Sequence, residues 1–270
     1  MGDGIRQGVA RQALTAGAVV TGLTLGATGN YGDAERSPSA IVPPSRAFGI
    51  WGPIYAGSLA YAVYQAMPRR RGDHVLGRLA LPAALGYLGA GLQSRAQGTR
   101  AFLPLVGVTW VSAVAAYALT GRDTPEDGSH GDHGDHRDHG DREDREDRET
   151  PEDRGRPDGW RWAVREPLAG FAGWLTLASA ISVLDGAVDG PAAADPQRPW
   201  AVPALAVTGA VATAVIAAGP RSISYPATLV WGLAGTAVQQ RRHTATAVTA
   251  GALAAVVAGV AALRNRRRTR

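Results

Sequence analysis

Residues 43–65 read PPSRAFGIWGPIYAGSLAYAVYQ, and the fold of the chain is predicted outward from this stretch. Its last 19 residues contain no charged side chain. On a helix, Trp51, Tyr55, Ser58 and Ala62 share one face, because they follow one another at offsets of 4, 7 and 11 residues. An uncharged helix with an ordered aromatic face is typical of a membrane span.

Charge is distributed very unevenly along the 270 residues of the chain. Residues 122–161 hold 15 of the 23 acidic residues, 8 of the 28 basic residues and four of the six His. The mean hydropathy of −0.09 is therefore an average over a polar insert and a much more apolar remainder. A soluble domain carries charge all over its surface, so this distribution argues against an ordinary soluble protein.

Eight apolar segments are long enough, or nearly so, to cross a bilayer as helices. A bilayer core about 30 Å thick needs about 20 mostly apolar residues per helix. The third segment is short and has Pro82 near its start. The predicted spans are residues 12–29, 47–67, 79–94, 101–120, 164–184, 200–219, 223–240 and 245–263. The sequence thus predicts an all-α integral membrane bundle of about eight transmembrane helices.

The arginines between these spans predict the orientation of the bundle. Apart from the insert, 12 Arg fall on the side that carries both termini and seven on the opposite side. Because loops rich in basic residues stay in the cytoplasm, both termini are predicted to be cytoplasmic. All 28 basic residues are Arg, and together with the abundance of Ala, Gly and Val this indicates a high-GC coding bias. We therefore expect a bacterial plasma membrane.

Several functional classes are disfavoured by what the chain lacks. Without Cys there are no disulfides, thiolate metal sites or Cys nucleophiles. Basic residues lie at the ends of apolar segments, as membrane orientation requires, so no nucleic-acid partner is expected. Ionisable residues are nearly absent from the spans, which argues against ion-coupled transport. No nucleophile–base arrangement or phosphate loop is recognisable, so the chain is predicted not to be an enzyme.

A second aromatic pattern lies in the fifth predicted span, where residues 167–178 read PLAGFAGWLTLA. On a helix Phe171, Trp174 and Ala178 share a face. Tryptophans that flank a span usually anchor it at the membrane interface. We assign that anchoring role to Trp160, Trp162 and Trp200.

Both aromatic patterns resemble motifs of the tryptophan-rich sensory protein family (TspO/MBR), the relatives of the translocator protein. The run Pro43 … Phe48-x-Ile50-Trp51-x-x-Ile54-Tyr55 resembles the family's Pro … Phe-x-x-Trp-x-x-(Leu/Ile)-Tyr signature. The run Pro167 … Gly173-Trp174-x-Thr176-x-Ala178 is similar to the fifth-helix signature of its longer members. Residues 229–233, LVWGL, resemble their late Trp-containing helix. The resemblance covers the first five spans with two anchors and the last three more thinly.

The resemblance implies a five-helix core that encloses an apolar pocket for tetrapyrroles such as protoporphyrin and haem, or for sterols and other lipids. It places the family's two pocket tryptophans at Trp51 and Trp174, and its motif tyrosine at Tyr55. This chain departs from the family at Ser182, where members usually carry Asn, and in residues 81–87, which lack the Asn and Trp of the third helix.

A ligand site is predicted from these two aromatic faces. An aromatic-lined pocket suits a flat apolar ligand, because stacking adds about 0.5–1.5 kcal/mol per ring pair beyond area burial. Tyr55 and Ser58 would supply the few oriented polar contacts that such pockets use. No cofactor is expected to be required, and a porphyrin or haem would be a ligand. The predicted ligand-binding residues are Trp51, Tyr55, Ser58, Phe171 and Trp174.

The polar insert carries the only other candidate site. Within residues 129–149 a three-residue repeat spaces His and Asp regularly and passes into repeated Arg-Glu-Asp. Imidazole and carboxylate are ligands for Zn²⁺, Ni²⁺ or Cu²⁺. A low-complexity expansion would give the same pattern as a passive linker. The candidate ligands for weak divalent metal binding are His130, His133, His136 and His139.

These patterns divide the chain into residues 1–121 with four spans, the cytoplasmic loop 122–161, and residues 162–270 with four spans and a basic tail. The predicted function is a TspO-like binding or sensory protein for a flat apolar ligand. One alternative is a metal-responsive membrane transporter that uses the His-rich loop, and another is a structural bundle without a ligand. Membrane lipid and a small apolar ligand are the expected partners, and the patterns are compatible with a homodimer.

Overall fold

The computed structural model describes residues 2–28, 39–121, 158–187 and 198–266. These residues form eight long helices and no strand, which confirms the all-α bundle. The helices are α1 Gly2–Ala27, α2 Trp51–Ala66, α3 His74–Ala96, α4 Phe102–Leu119, α5 Glu166–Ala187, α6 Arg198–Ala218, α7 Ser224–Gln239 and α8 Thr244–Arg266. Two 3₁₀ turns, Ser45–Ile50 and Pro68–Arg70, flank α2. A short helix Asp158–Trp160 and a π-helical turn Arg161–Arg165 lead into α5.

Five of the eight helices are long and apolar enough to cross a membrane. They are α3, α4, α5 with its π-helical turn, α6 and α8. Helix α3 is longer than the predicted 79–94, because the Asp73 carboxylate caps its first turn by accepting hydrogen bonds from the Val75 and Leu76 amides at 3.0 and 3.1 Å. Pro82 lies within this helix. Helices α2 and α7 have 16 residues each and are shorter than the predicted spans.

Helix α5 lies at the centre of the bundle and packs against α2, α4, α6 and α7. Helices α1, α3 and α4 pack in series on one side, and α6, α7 and α8 form the other side. Backbones approach closely at glycines. A Cβ added to Gly91 of α3 would lie 2.5 Å from the carbonyl oxygen of Gly22 in α1. A Cβ added to Gly173 of α5 would lie 2.5 Å from the carbonyl oxygen of Tyr225 in α7. Close backbone approach at small residues is how membrane helices associate.

Polar side chains join α1 to the loop after α2 at one end of the bundle. The Arg11 guanidinium donates to the carbonyl oxygens of Asp73 and Arg70, both at 2.7 Å. The side-chain amide of Gln12 donates to the Gln65 carbonyl at 2.8 Å, and the amide of Gln65 donates to the Gln12 carbonyl at 3.1 Å. Each amide therefore satisfies a backbone group of the opposite helix.

At the same end, Glu166 connects the first turn of α5 to the first turn of α7. Its buried carboxylate accepts hydrogen bonds from the Ser222 hydroxyl at 2.7 Å and from the Ile223 and Ser224 amides at 3.1 and 2.9 Å. The Arg161 Nε donates to the other carboxylate oxygen at 3.2 Å. Because the amino end of a helix carries unpaired N–H groups and partial positive charge, this carboxylate caps α7 from a neighbouring helix.

At the opposite end, residues 39–50 lie along α7 and are called the strap. Trp231 Nε1 donates to the Ala47 carbonyl at 2.9 Å, and Thr236 Oγ1 donates to the Ile41 carbonyl at 2.9 Å. Gln240 Nε2 reaches the Ser39 carbonyl at 3.4 Å. The strap leads directly into α2, so these bonds position the start of the helix that carries Trp51.

One expectation about an individual residue is wrong. Trp160 is only 3% exposed and packs edge-on against Tyr64, with ring centroids 6.2 Å apart, so it is a core residue rather than an interfacial anchor. Trp162 and Trp200, at 61% and 58% exposed, do have anchor-like exposure.

Candidate functional site

The first half of α2 and the middle of α5 bring the two predicted tryptophans into contact. The ring centroids of Trp51 and Trp174 are 6.0 Å apart with an interplanar angle of 74°, an edge-to-face arrangement. Trp51 also contacts Tyr55 one turn on, at 5.3 Å. Phe48 of the strap packs edge-on against Trp174 at 5.7 Å. Trp174 is 2% exposed, so the other three rings are arranged around a fixed, buried indole.

Ser58 and Phe171, the other two predicted residues, lie deeper between the same helices and meet Tyr87 of α3. The rings of Tyr87 and Phe171 are stacked, with centroids 4.3 Å apart and 15° between their planes. The Tyr87 hydroxyl donates to Ser58 Oγ at 2.9 Å, and Ser58 in turn donates to the Ile54 carbonyl at 2.8 Å. The five predicted residues therefore form two contacting sets on the same two helices, Trp51 with Tyr55 and Trp174, and Ser58 and Phe171 joined through Tyr87.

We call Phe48, Trp51 and Tyr55 the aromatic rim. Phe48 is 40% exposed, while Trp51 and Tyr55 are half-buried. Trp174, Phe171, Ser58 and Tyr87 are buried. Since the two tryptophans touch edge to face, the surface that this cluster offers to a ligand is the rim and not a gap between the two indoles.

A groove lies beside the cluster, on the side of α5 that faces α7. Its volume is about 210 Å³. Apolar and small residues form most of its walls. These are Ile50, Pro53, Ile54 and Gly57 on one side, with Pro167 and Gly170 of α5 as the floor. Trp51 and Trp174 do not line it. The groove is thus a separate feature from the aromatic rim.

The structure does not describe the segment that carries the predicted metal ligands. His130, His133, His136 and His139 lie outside the described residues. Within the ranges that are described, no group of three His, Asp or Glu side chains is arranged to hold a metal ion. Metal binding by the insert stays a prediction from the sequence.

A comparison with known proteins identifies the family of this chain. The family model described as TSPO-like protein matches residues 12–94 and 148–263, well over half of the chain. The chain belongs to the TSPO-like protein family. No curated protein and no solved structure matches it. All five predicted site residues of this TSPO-like protein lie in the matched regions, and family and fold together make it an integral membrane protein.

Tyr87 is the member of the candidate site that the sequence patterns did not predict. The resemblance led us to expect Asn and Trp in the third helix, and their absence suggested a site with fewer polar and aromatic groups. Tyr87 supplies both a ring and a hydroxyl from α3. The only local signal was a tyrosine within an otherwise aliphatic run, residues 79–92.

Proposed function

We propose that this TSPO-like membrane protein binds a flat apolar ligand, a tetrapyrrole or a flat lipid, on the aromatic rim. We propose binding or sensing as its role, rather than catalysis. The observation that carries the proposal is the contact of half-buried Trp51 with fully buried Trp174 at 6.0 Å. Because Trp174 holds the Trp51 indole in place, Trp51 offers a rigid surface for stacking.

The rim favours a flat ligand for a physical reason. Three rings, those of Phe48, Trp51 and Tyr55, are partly accessible next to one another. Each ring contact adds about 0.5–1.5 kcal/mol beyond the apolar area that is buried. Because Trp51 and Phe48 are both held by Trp174, little side-chain freedom is lost on binding, which improves affinity.

Titration with protoporphyrin IX in detergent tests this proposal. Binding is followed by quenching of tryptophan fluorescence and, independently, by the porphyrin's own absorption band, since some variants lack a tryptophan. The native chain is compared with Trp51→Leu and with the double variant Trp51→Leu/Trp174→Leu. Trp200→Leu is the matched control, because Trp200 is 58% exposed and outside the cluster.

We expect saturable binding that is about tenfold weaker or worse in the double variant, a loss of at least about 1.4 kcal/mol. Trp200→Leu should bind as the native chain does. Thermal unfolding of each variant shows whether the fold is retained. Equal, non-saturable signals in every variant would mean partition into the micelle and would refute the proposed ligand site.

We further propose a bacterial plasma membrane with both termini in the cytoplasm, on the strength of the Arg distribution. Because the chain contains no Cys, single cysteines report on sidedness without background. A membrane-impermeant maleimide should label Arg100→Cys in intact cells and Arg69→Cys only after lysis. The reverse labelling pattern would show that both termini lie outside the cytoplasm and would refute the proposed orientation.

A further inference from the structure

We propose that the groove between α2 and α7 holds one acyl chain of an anionic membrane lipid, whose phosphate pairs with Arg161 at the end where α5 begins. This inference goes beyond the proposed binding of a flat ligand, because none of the three residues of the aromatic rim lines the groove.

The floor of the groove is shaped for a narrow, flexible chain. Gly170 of α5 presents only backbone, and Gly57 of α2 lies across from the ring of Pro167. A Cβ added to Gly57 would lie 3.4 Å from the Pro167 ring, and one added to Gly170 would lie 3.4 Å from Ser224 Cβ. A Cβ at either glycine would already be in van der Waals contact with the opposite wall, so a larger side chain there would narrow the groove and press on that wall.

The size of the groove points to a single chain. Pockets that bury a drug-sized ligand measure about 300–1,000 Å³, whereas this groove measures about 210 Å³. It is open along one side and lies between helices of a membrane protein, so lipid chains are the apolar groups present at highest concentration around it.

The π-helical turn places a cation and an interfacial tryptophan at one end of the groove. Trp162 lines the groove and is 61% exposed, which is typical of a ring at the level of lipid headgroups. The Arg161 guanidinium carbon lies 5.4 Å from the Trp162 ring centroid. Arg161 is partly exposed, and its Nε bonds to Glu166 while its two terminal nitrogens bond to none of the described residues.

The polar groups at this end of the groove can bind an anion. Glu166 contributes one negative charge, but the Ser222 hydroxyl and the first amides of α7 already bind its carboxylate. Arg161 pairs with Glu166 through Nε, which leaves its terminal nitrogens to donate to another anion. The amino end of α7 adds partial positive charge. A phosphate that pairs with the terminal nitrogens of Arg161 would therefore form charge-assisted hydrogen bonds there.

Native mass spectrometry of the full chain tests the proposal directly. The protein is purified in detergent and equilibrated with equal amounts of phosphatidylglycerol and phosphatidylcholine that carry identical acyl chains. We expect one retained phosphatidylglycerol per chain, preferred about fivefold or more over phosphatidylcholine. Arg161→Gln should reduce that preference to about one, and Arg161→Lys should restore most of it.

Gly170→Leu fills the groove from α5 and should abolish retention of both lipids. Gly57→Leu fills it from α2 and serves as the second variant if Gly170→Leu does not fold. Arg100→Gln is the control, because Arg100 is an exposed arginine between α3 and α4 at the opposite end, and it should leave the preference unchanged. Protoporphyrin binding by Arg161→Gln should remain native, which separates this proposal from the ligand site on the rim.

Two results would overturn the proposal. Equal retention of both lipids by the native chain and all variants would mean non-specific annular lipid. Selective retention that arises only after residues 123–157 are deleted would mean that the charged insert occupies this surface in the intact chain.

Discussion

The contact between Gly22 and Gly91 makes a sharp prediction about how tightly α1 and α3 are joined. In Gly91→Ala the new Cβ would lie 2.5 Å from the Gly22 carbonyl oxygen and 2.9 Å from both Gly22 Cα and Leu25 Cβ. Carbon–oxygen contacts in proteins settle at about 3.3–3.6 Å. The helices must therefore separate by about 1 Å at this point, because a backbone carbonyl cannot rotate away as a side chain can.

The expected cost follows from that displacement. Inserting a methyl group into a well-packed interface costs about 1–3 kcal/mol. Replacing Gly by Ala inside a helix returns up to about 1 kcal/mol. We therefore expect Gly91→Ala to lower the free energy of unfolding by about 1–2 kcal/mol. Gly77→Ala on the same helix is the matched control, since its nearest neighbour, Arg11 Nη1, would lie at 3.8 Å, and its stability should be unchanged or slightly increased.

Thermal unfolding in detergent, followed by circular dichroism, measures the difference. For a chain of this size 1 kcal/mol shifts Tm by about 2–4 °C, so Gly91→Ala should melt several degrees below Gly77→Ala. If the two variants melt together, the α1–α3 contact is not tight and the close approach of Gly22 and Gly91 does not exist in the folded protein.

Three further predictions concern other parts of the bundle. Glu166→Ala removes the cap of α7 and leaves the buried Ser222 hydroxyl and the Arg161 guanidinium without their carboxylate partner, so the free energy of unfolding should fall by about 3 kcal/mol. Glu166→Gln should lose about half as much, and equal melting of both variants with the native chain would contradict the capping role. Tyr87→Phe deletes the hydroxyl that donates to Ser58 and should cost about 1 kcal/mol in the same assay, whereas Tyr87→Ala also loses the stack on Phe171 and should cost several-fold more. Deleting residues 123–157 should abolish Zn²⁺ binding measured by calorimetry and leave protoporphyrin affinity intact; loss of porphyrin binding in this variant would place the insert in the ligand site.

Much of the fold could be predicted because membrane helices must satisfy their own backbone and present apolar side chains to lipid. All eight predicted segments correspond to helices. The boundaries were less predictable, since they depend on single contacts. Asp73 starts α3 five residues before the predicted span, and the 3₁₀ turn Ser45–Ile50 delays the start of α2.

The candidate site was predictable where it follows one helix face and unpredictable where it depends on three-dimensional contacts. Trp51, Tyr55 and Ser58 lie at helical spacing, and the structure brings them to Phe171 and Trp174. Tyr87 joins them through a stack with a residue 84 positions away, which no local pattern encodes. Trp160 was misjudged for a similar reason, because its burial depends on Tyr64 of α2.

The strap sets the order in which the protein can be completed during synthesis. Its bonds to Trp231, Thr236 and Gln240 join residues that are 184, 195 and 201 positions apart. At about 5–20 residues per second, the ribosome needs about 10–40 s to make the intervening chain. Until α7 has been inserted, the strap that leads into α2 lacks the hydrogen bonds that position it, although α5 is already present to contact Phe48 and Trp51. The aromatic rim therefore reaches its final arrangement late in synthesis. In a chain truncated before α7, the strap and the Trp51 that follows it would lack the hydrogen bonds to α7.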